Sequence, residues 1–466
     1  MRKPIVNQLP SWTCSQSARR LHGEAYTSNA KLSEARMSRQ MKFVAFLMAG
    51  PTCHHHGMWR HPQTENRFLD PAFWETLART LEAGRFDGFF FADALSFYNE
   101  TIMARGGQMS LLDPVPLVAM MARATSRIGL GVTISTSFQQ PYAIARVLSS
   151  LDALTAGRIA WNIVTSAIDQ EAQFFGEETL LPRSERYDRA EEVLKVCLDL
   201  WTGWADGALV CDKKSGHFID EAKMRRTEIA GQHVGARGVF TVPPSPQRHP
   251  VIMQAGSSPR GRDFAASYAE LVFTLQHSLP DMQKFYVEMK GRVDKAGRNP
   301  DDCAILVSVD PIVGETQSIA REKQAYINDL VDPRLAIPFM SAHTGLDLSQ
   351  YPIDKPISDI PAEAGSRGSF DVILQATKAS NLTLGEAAKH FAISELCPQV
   401  VGTPENVADE LQGFFENEGC DGFIVTPTEM PGSFEAFTRS VVPILQKRGL
   451  FRKEYPGSTL RETIRA

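Results

Sequence analysis

The chain has 466 residues, 43% hydrophobic and 22% charged. That is more than one ordinary core fills, so two domains or one large α/β barrel with insertions is expected. Its 49 basic and 54 acidic residues leave a formal net charge of -5 with the signs interspersed, which excludes a footprint for nucleic acid or an anionic membrane and points to a small-molecule partner.

Seven cysteines include no C-x-x-C pair, which argues against a disulfide framework and for a reducing cytoplasm. No apolar run nears the roughly 20 residues of a membrane span. Residues 1–36 are polar, carry Arg19, Arg20 and Arg36, and lack the apolar core of a secretory signal; they read as a disordered extension ahead of a single domain over 37–466.

From there the chain alternates short, nearly continuous apolar runs with longer helical stretches, the pattern of parallel strands buried on both faces. The runs are 42–49, 86–92, 128–135, 159–165, 250–255, 270–276, 304–309 and 421–427. Asp70 and Pro71 open a helix that closes at Gly84. GRFDGFFF at 84–91 and GCDGFIV at 419–425 both pass from a Gly through Asp-Gly-Phe into a strand. Eight such units predict a closed (β/α)8 TIM barrel with its chemistry in the loops after the strand C-termini; an open doubly wound sheet is the competing architecture. Residues 204–249, after strand 4, and 333–402, after strand 7, are too long for simple connections and are expected to be insertions that act as lids or binding loops.

The candidate chemistry gathers at those strand ends. CHHHGMWRHP, Cys53 to Pro62, packs four histidines beside a cysteine after strand 1. His54-x-His56 resembles two ligands of a barrel metal hydrolase, but strand 5 offers Gln254 and strand 8 offers Thr426 and Pro427, which leaves only His277 compatible, so no metal is assigned. Loop histidines without a role are the plain alternative. Strand 2 ends in Asp93, with Tyr98 beyond it; strand 3 ends with Thr133, Ser135 and Thr136; strand 4 ends with Thr165 and Ser166. QAGSSPRGR, Gln254 to Arg262, reads as strand, turn and helix start. It is either a phosphate cradle of N–H groups and the Ser257 and Ser258 hydroxyls, completed by Arg260 or Arg262, or an ordinary helix cap. Asp93, Thr133 and Ser166 have a structural alternative as strand-end residues.

Taken together, HGMWRHP, GRFDGFFFAD, LGVTISTSFQQPY, LDALTAGRIAWNIVTS, SERYDRAEE, PSPQRHPVIMQAGSSPRGRDFA, HTGLDLSQYPID and VVPILQKRGLFR resemble the bacterial-luciferase-like flavin monooxygenases, in the branch with the nitrilotriacetate monooxygenase large component and dibenzothiophene sulfone monooxygenase. The resemblance runs from about Met41 to Arg461. It implies a TIM barrel that takes reduced FMN (FMNH2) from a separate NAD(P)H:flavin reductase and uses O2, through a flavin C4a-hydroperoxide, to oxygenate a small organic substrate with C–N or C–S cleavage. Carried over by position, it puts flavin contacts on Asp93, Thr133, Ser166, Tyr187 and Ser258. Arg183 stands at a position where the family usually has His. Tyr98 and Gln108 fall on the substrate side, while Gly50 and Ala167 replace a Cys and a His of an alkane-oxidising relative. His56 or His54 is then a hydrogen-bond donor or proton shuttle, and a homodimer or homotetramer is implied. A deazaflavin-dependent oxidoreductase on the same barrel and a flavin-binding protein without catalysis are the alternatives.

Overall fold

The computed structural model describes residues 39–256, 258–361, 373 and 381–466; the expected extension over 1–36 and Ser257 lie outside them. Eight parallel strands close a barrel. In chain order they are β1 (Lys42–Met48), β2 (Gly88–Ala92), β3 (Gly129–Ser135) and β4 (Ile159–Val164), then, past the hairpins β5 (Leu209–Asp212)–β6 (His217–Ile219) and β7 (Arg226–Ala230)–β8 (Gly235–Val239), the strands β9 (Val251–Gln254), β10 (Leu271–Thr274), β11 (Ala304–Val313) and, beyond β12 (Gln399–Gly402), β13 (Gly422–Val425). The ring runs β10-β9-β4-β3-β2-β1-β13-β11 and closes through β10–β11 pairing, with Leu271 opposite Ala304 and Val44 opposite Gly88. Each of the eight predicted runs coincides with one barrel strand, wholly in seven cases and over its first part in β11. Among the described residues no helix is long and apolar enough to cross a membrane.

The local reasons are visible in the sequence. Helix after helix begins with a capping side chain followed by proline: Asp70 accepts from Ala72 N, Asp113 from Val115 N, Ser258 from Gly261 N, Asp332 from Arg334 N and Thr403 from Asn406 N. Each cap satisfies an N–H with no intrahelical partner, and proline costs nothing at a position whose N–H is already unused. The two Asp-Gly-Phe units share a device at the strand N-termini. Asp87 accepts from Phe43 N at 2.7 Å and pairs with buried Arg452 at 2.6 Å; Asp421 accepts from Ile305 N at 2.9 Å and pairs with Lys290 at 2.8 Å. The glycine that follows is required at 422, where a Cβ would collide with the Lys42 carbonyl. Inside the barrel Phe90 lies 5.3 Å from Phe46 and 6.1 Å from Phe273, ring to ring, and these rings form the floor beneath the mouth.

Two features differ from the sequence reading. Strand β11 runs on past 309, and its second half pairs with β12, Asp310 opposite Gln399 and Val313 opposite Gly402. Asp310 and Pro311 interrupt the apolar run that marks a strand, and proline is tolerated where no ladder N–H is needed. Within the segment after β11, helices Pro333–Thr344 and Leu384–Ser394 bury Phe339, Met340, Leu384, Ala388 and Phe391 in a core of their own. This core reaches the barrel mouth, because His56 N donates to Ala392 O at 3.2 Å.

Candidate active site

The C-terminal mouth of the barrel holds a cavity of about 530 Å³, lined among others by Asp93, Tyr98, Ser166, Arg183, Tyr187, Ser258 and His343. Six sequence-predicted residues from four segments therefore meet around one space. Ser166 follows β4 in the left-handed region, φ 54, an uncommon conformation for a residue with a Cβ. Three contacts hold it there: its hydroxyl lies 2.8 Å from Ser135 Oγ, Arg186 Nη1 donates to its carbonyl, and the next two N–H groups, of Ala167 and Ile168, donate to Glu171 Oε2 at 2.9 and 3.2 Å. Glu171 also accepts from Leu95 N at 2.9 Å, which ties the β2 and β4 loops to one buried carboxylate.

Asp93 ends β2 against this frame. Burial pushes its carboxyl up to about 7, and repulsion from Asp113 and Glu171 adds to the rise against a lowering bond from Ser110. The turn that starts helix Pro259–Tyr268 borders the same cavity through Gly256 and Ser258. Ser258 Oγ caps it at 3.1 Å from Gly261 N, so the hydroxyl does the ordinary capping job while also lining the cavity. Tyr187 Oη lies 3.4 Å from Gln254 Nε2, and Gln254 Oε1 accepts from Gly256 N at 2.6 Å. A Cβ at either Gly256 or Gly261 would come within 2.7 Å of Tyr187 Oη; side-chain-free backbone is what lets the tyrosine reach this turn. Arg260 does not complete the cradle, since its guanidinium binds Asp188 at 3.0 Å and Glu191 at 2.7 Å. Arg262 pairs with Glu288 at 2.7 Å beside a neighbouring cavity.

Thr133 lies deeper than expected. Its hydroxyl donates to Phe91 O at 2.7 Å and accepts from Asn162 Nδ2 at 2.8 Å, and it faces a small adjoining cavity shared with Asp93 and Gln139.

The three consecutive histidines are all buried and diverge. His55 turns away from the mouth, with Nε2 3.1 Å from Asn328 Oδ1 and Nδ1 accepting from Gly57 N at 3.1 Å. His56 packs its ring 3.9 Å from that of Phe339, and neither of its nitrogens has a hydrogen-bond partner among the described residues. His54 has its ring 4.3 Å from that of Phe46, with Nδ1 3.9 Å from Cys397 Sγ and Nε2 4.0 Å from Glu395 Oε1. Burial drives the pKa of His54 down to about 3 and of His55 to about 4, and pushes that of His56 well below its usual value. All three are therefore neutral imidazoles at neutral pH. Tyr98 Oη lies 3.2 Å from His343 Nε2, and Gln108 Nε2 donates to Glu395 Oε1 at 3.0 Å.

Sequence reasoning missed His343 and Glu395. His343 stood in a quoted segment without a role. Glu395 carries no pattern at all, because it is brought in by the segment between β11 and β13.

Carboxyl and hydroxyl side chains and a capped helix N-terminus meet around one cavity at the C-terminal mouth of the barrel, where barrel enzymes carry their active sites. Residues 41–422 match the family described as luciferase-like monooxygenase. The chain is 43% identical to the dibenzothiophene-sulfone monooxygenase of Rhodococcus erythropolis, covering 91% of this chain and 96% of that one. It is 38% identical to nitrilotriacetate monooxygenase component A of Aminobacter aminovorans, over 88% and 93%. A solved structure of riboflavin lyase with modified FMN and riboflavin superposes with a TM-score of 0.82 at 31% identity, over 92% and 96%. The chain belongs to the luciferase-like monooxygenase family. It is a flavin-dependent monooxygenase.

Proposed function

We propose that the chain is the oxygenase component of a two-component system: it takes FMNH2 from a separate NAD(P)H:flavin reductase, uses O2, and oxygenates a small organic substrate with cleavage of a C–S or C–N bond. The observation that carries this is the 530 Å³ cavity at which Asp93, Ser166, Arg183, Tyr187 and Ser258 meet. The fit to a flavin mononucleotide rests on chemistry that the walls already possess. A helix N-terminus with glycine backbone beneath Tyr187 suits a phosphate, and an uncharged or singly charged carboxyl beside a constrained serine suits the heteroatom edge of the ring. The bound flavin would supply the activation of O2.

The chain's own residues then do the rest. Ser258, Tyr187 and Arg183 hold the anionic end, with Ser257 beside them in sequence. Asp93 and Ser166 orient the ring edge. Thr133 already commits its proton to Phe91 O, so it has only a lone pair to offer and acts mainly by fixing the wall behind Asp93. His56, a neutral imidazole with both nitrogens unbonded among the described residues, donates or accepts a proton at the mouth, backed by His54. Tyr98, held by His343, and Gln108 face the substrate side. Helices Pro333–Thr344 and Leu384–Ser394 exclude water.

The test combines anaerobic calorimetry of FMNH2 binding with an assay containing NADH, FMN, a flavin reductase and panels of sulfones, amines and aminopolycarboxylates. Expected are saturable FMNH2 binding and product that requires reductase and O2 together. Hydride transfer to substrate without O2 consumption, or flavin binding without any product, would replace this reading with a deazaflavin-type oxidoreductase or a carrier. Sedimentation is expected to give a homodimer or homotetramer.

A further inference from the structure

Buried carboxyl groups among the described residues meet different partners: Asp152 and Glu171, for example, accept from backbone N–H groups, and Asp152 also from Ser245 and Gln247. Asp87 and Glu270 are matched by guanidinium groups, of Arg452 at 2.6 Å and Arg461 at 2.7 Å, and such pairs hold the barrel's N-terminal end together. Glu395 is also buried, 9% exposed, yet it faces an amide and an imidazole. One carboxyl oxygen, Oε1, accepts from Gln108 Nε2 at 3.0 Å and lies 4.0 Å from His54 Nε2; on the other side of that imidazole Nδ1 meets Cys397 Sγ at 3.9 Å. The titratable groups around the carboxyl are His54, then His343 and His56 beyond it, Asp310 on β11 and Cys397. The backbone is bent to deliver it: Glu395 and Leu396 both lie in the left-handed region, φ 50 and 68, without a glycine, as the chain leaves helix Leu384–Ser394. Strain of this kind persists where the surroundings over-determine it and gathers at functional sites.

We propose that Glu395 is a positioning residue of the oxygenation site, acting through Gln108, whose amide it anchors, and through His54, with which it exchanges a proton. The inference deepens the oxygenase reading and rests on it for the location of the reacting centre. In the exchange the Glu395 O–H bond breaks and a His54 Nε2–H bond forms, which leaves carboxylate and imidazolium; because burial favours the neutral imidazole, this pair is a transient that the reverse step returns to two neutral groups, and no other reactant is needed. The 4.0 Å separation exceeds a hydrogen bond, so transfer requires rotation of the glutamate or one bridging water. Burial pushes the Glu395 carboxyl up to about 7 against a lowering bond from Gln108, and burial with repulsion from Glu395 holds that of Asp310 well above its usual range, so below about pH 7 the proton sits on the Glu395 acid. The Gln108 N–H then steadies the carboxylate that forms when it leaves.

The experiment begins with the flavin-free chain. The imidazole of His54, followed by NMR on histidine-labelled protein, is expected to show a transition near pH 7 that mirrors Glu395 and is absent in Glu395→Gln. Asp310→Asn keeps that transition. Infrared difference spectra across the same range are expected to lose one protonated-carboxyl band in Glu395→Gln. In the coupled assay, Glu395→Gln lowers kcat on the order of tenfold to a hundredfold and flattens its pH profile between about 6 and 8, with FMNH2 affinity unchanged. A His54 resonance that does not respond near pH 7 in the unmodified chain overturns the proposal even if Glu395→Gln fails to fold. So does a transition that survives in Glu395→Gln. Loss of flavin binding or oxygenation in the unmodified chain would instead strike the oxygenase reading, since the NMR and infrared results do not depend on it.

Discussion

Asp93→Asn should stabilise the protein and impair the site at once, and the size of both effects follows from one buried carboxyl. Its pKa is raised from 3.8 to about 7, chiefly by burial. An acid whose pKa is higher folded than unfolded binds more protons in the folded state between those two values, so stability falls as pH rises through that window and then levels off. At about 1.36 kcal/mol per unit, the ceiling on this cost is about 4 kcal/mol at pH 8 and about 1.5 kcal/mol at pH 5; water access and relaxation reduce both by roughly half. Asparagine keeps the shape and removes the titration. For a chain of this length about 1 kcal/mol corresponds to about 1 °C in Tm, so Asp93→Asn is expected to melt about 2 °C higher at pH 8 and within about 1 °C at pH 5. The measurement is scanning fluorimetry across that range, paired with anaerobic FMNH2 calorimetry, in which the variant should bind more weakly. A Tm gain equal at both pH values, or absent at pH 8, would refute the reasoning, because the cost would then not arise from the buried charge.

Other perturbations test separate parts of the architecture. Arg452→Met leaves the buried Asp87 carboxylate without its partner and should cost about 3–5 kcal/mol, seen as a lowered urea midpoint; adding Asp87→Asn should recover most of the loss. Gly261→Ala drives a Cβ into Tyr187 Oη and should weaken FMNH2 binding, with partial recovery in the Gly261→Ala, Tyr187→Phe double variant. Ser166→Val puts a β-branched residue at φ 54 and should lower stability by about 1–3 kcal/mol along with flavin affinity, whereas Ser166→Gly should keep the Tm and lose only affinity. His56→Phe preserves the packing on Phe339 and should reduce kcat by on the order of a hundredfold with FMNH2 affinity nearly unchanged.

What could be read from the sequence, and what could not, divides along a physical line. A parallel strand covered on both faces must be almost wholly apolar, so runs such as FDGFFFA and IGLGVTIS announce themselves, and so do caps such as Asp70-Pro71 and Asp113-Pro114, because the signal is local. The walls contributed by strand ends were legible for the same reason: Asp93, Ser166 and Ser258 each stand just past an apolar run, where barrel topology alone brings them to one mouth. Thr133 was placed correctly in the chain, but the direction of its hydroxyl depends on Asn162 across the β3–β4 ladder. The histidine cluster shows the limit most clearly. Three adjacent imidazoles look alike in sequence, yet they separate toward Asn328, Phe339 and Glu395, partners 273, 283 and 341 residues away along the chain. Their roles are fixed by the helices packed over the mouth, whose sequence has no period tied to the barrel. Glu395 is the plainest case: no strand presents it, and it meets Gln108 and His54 only because two left-handed residues at a helix end turn the chain after it has closed over the barrel.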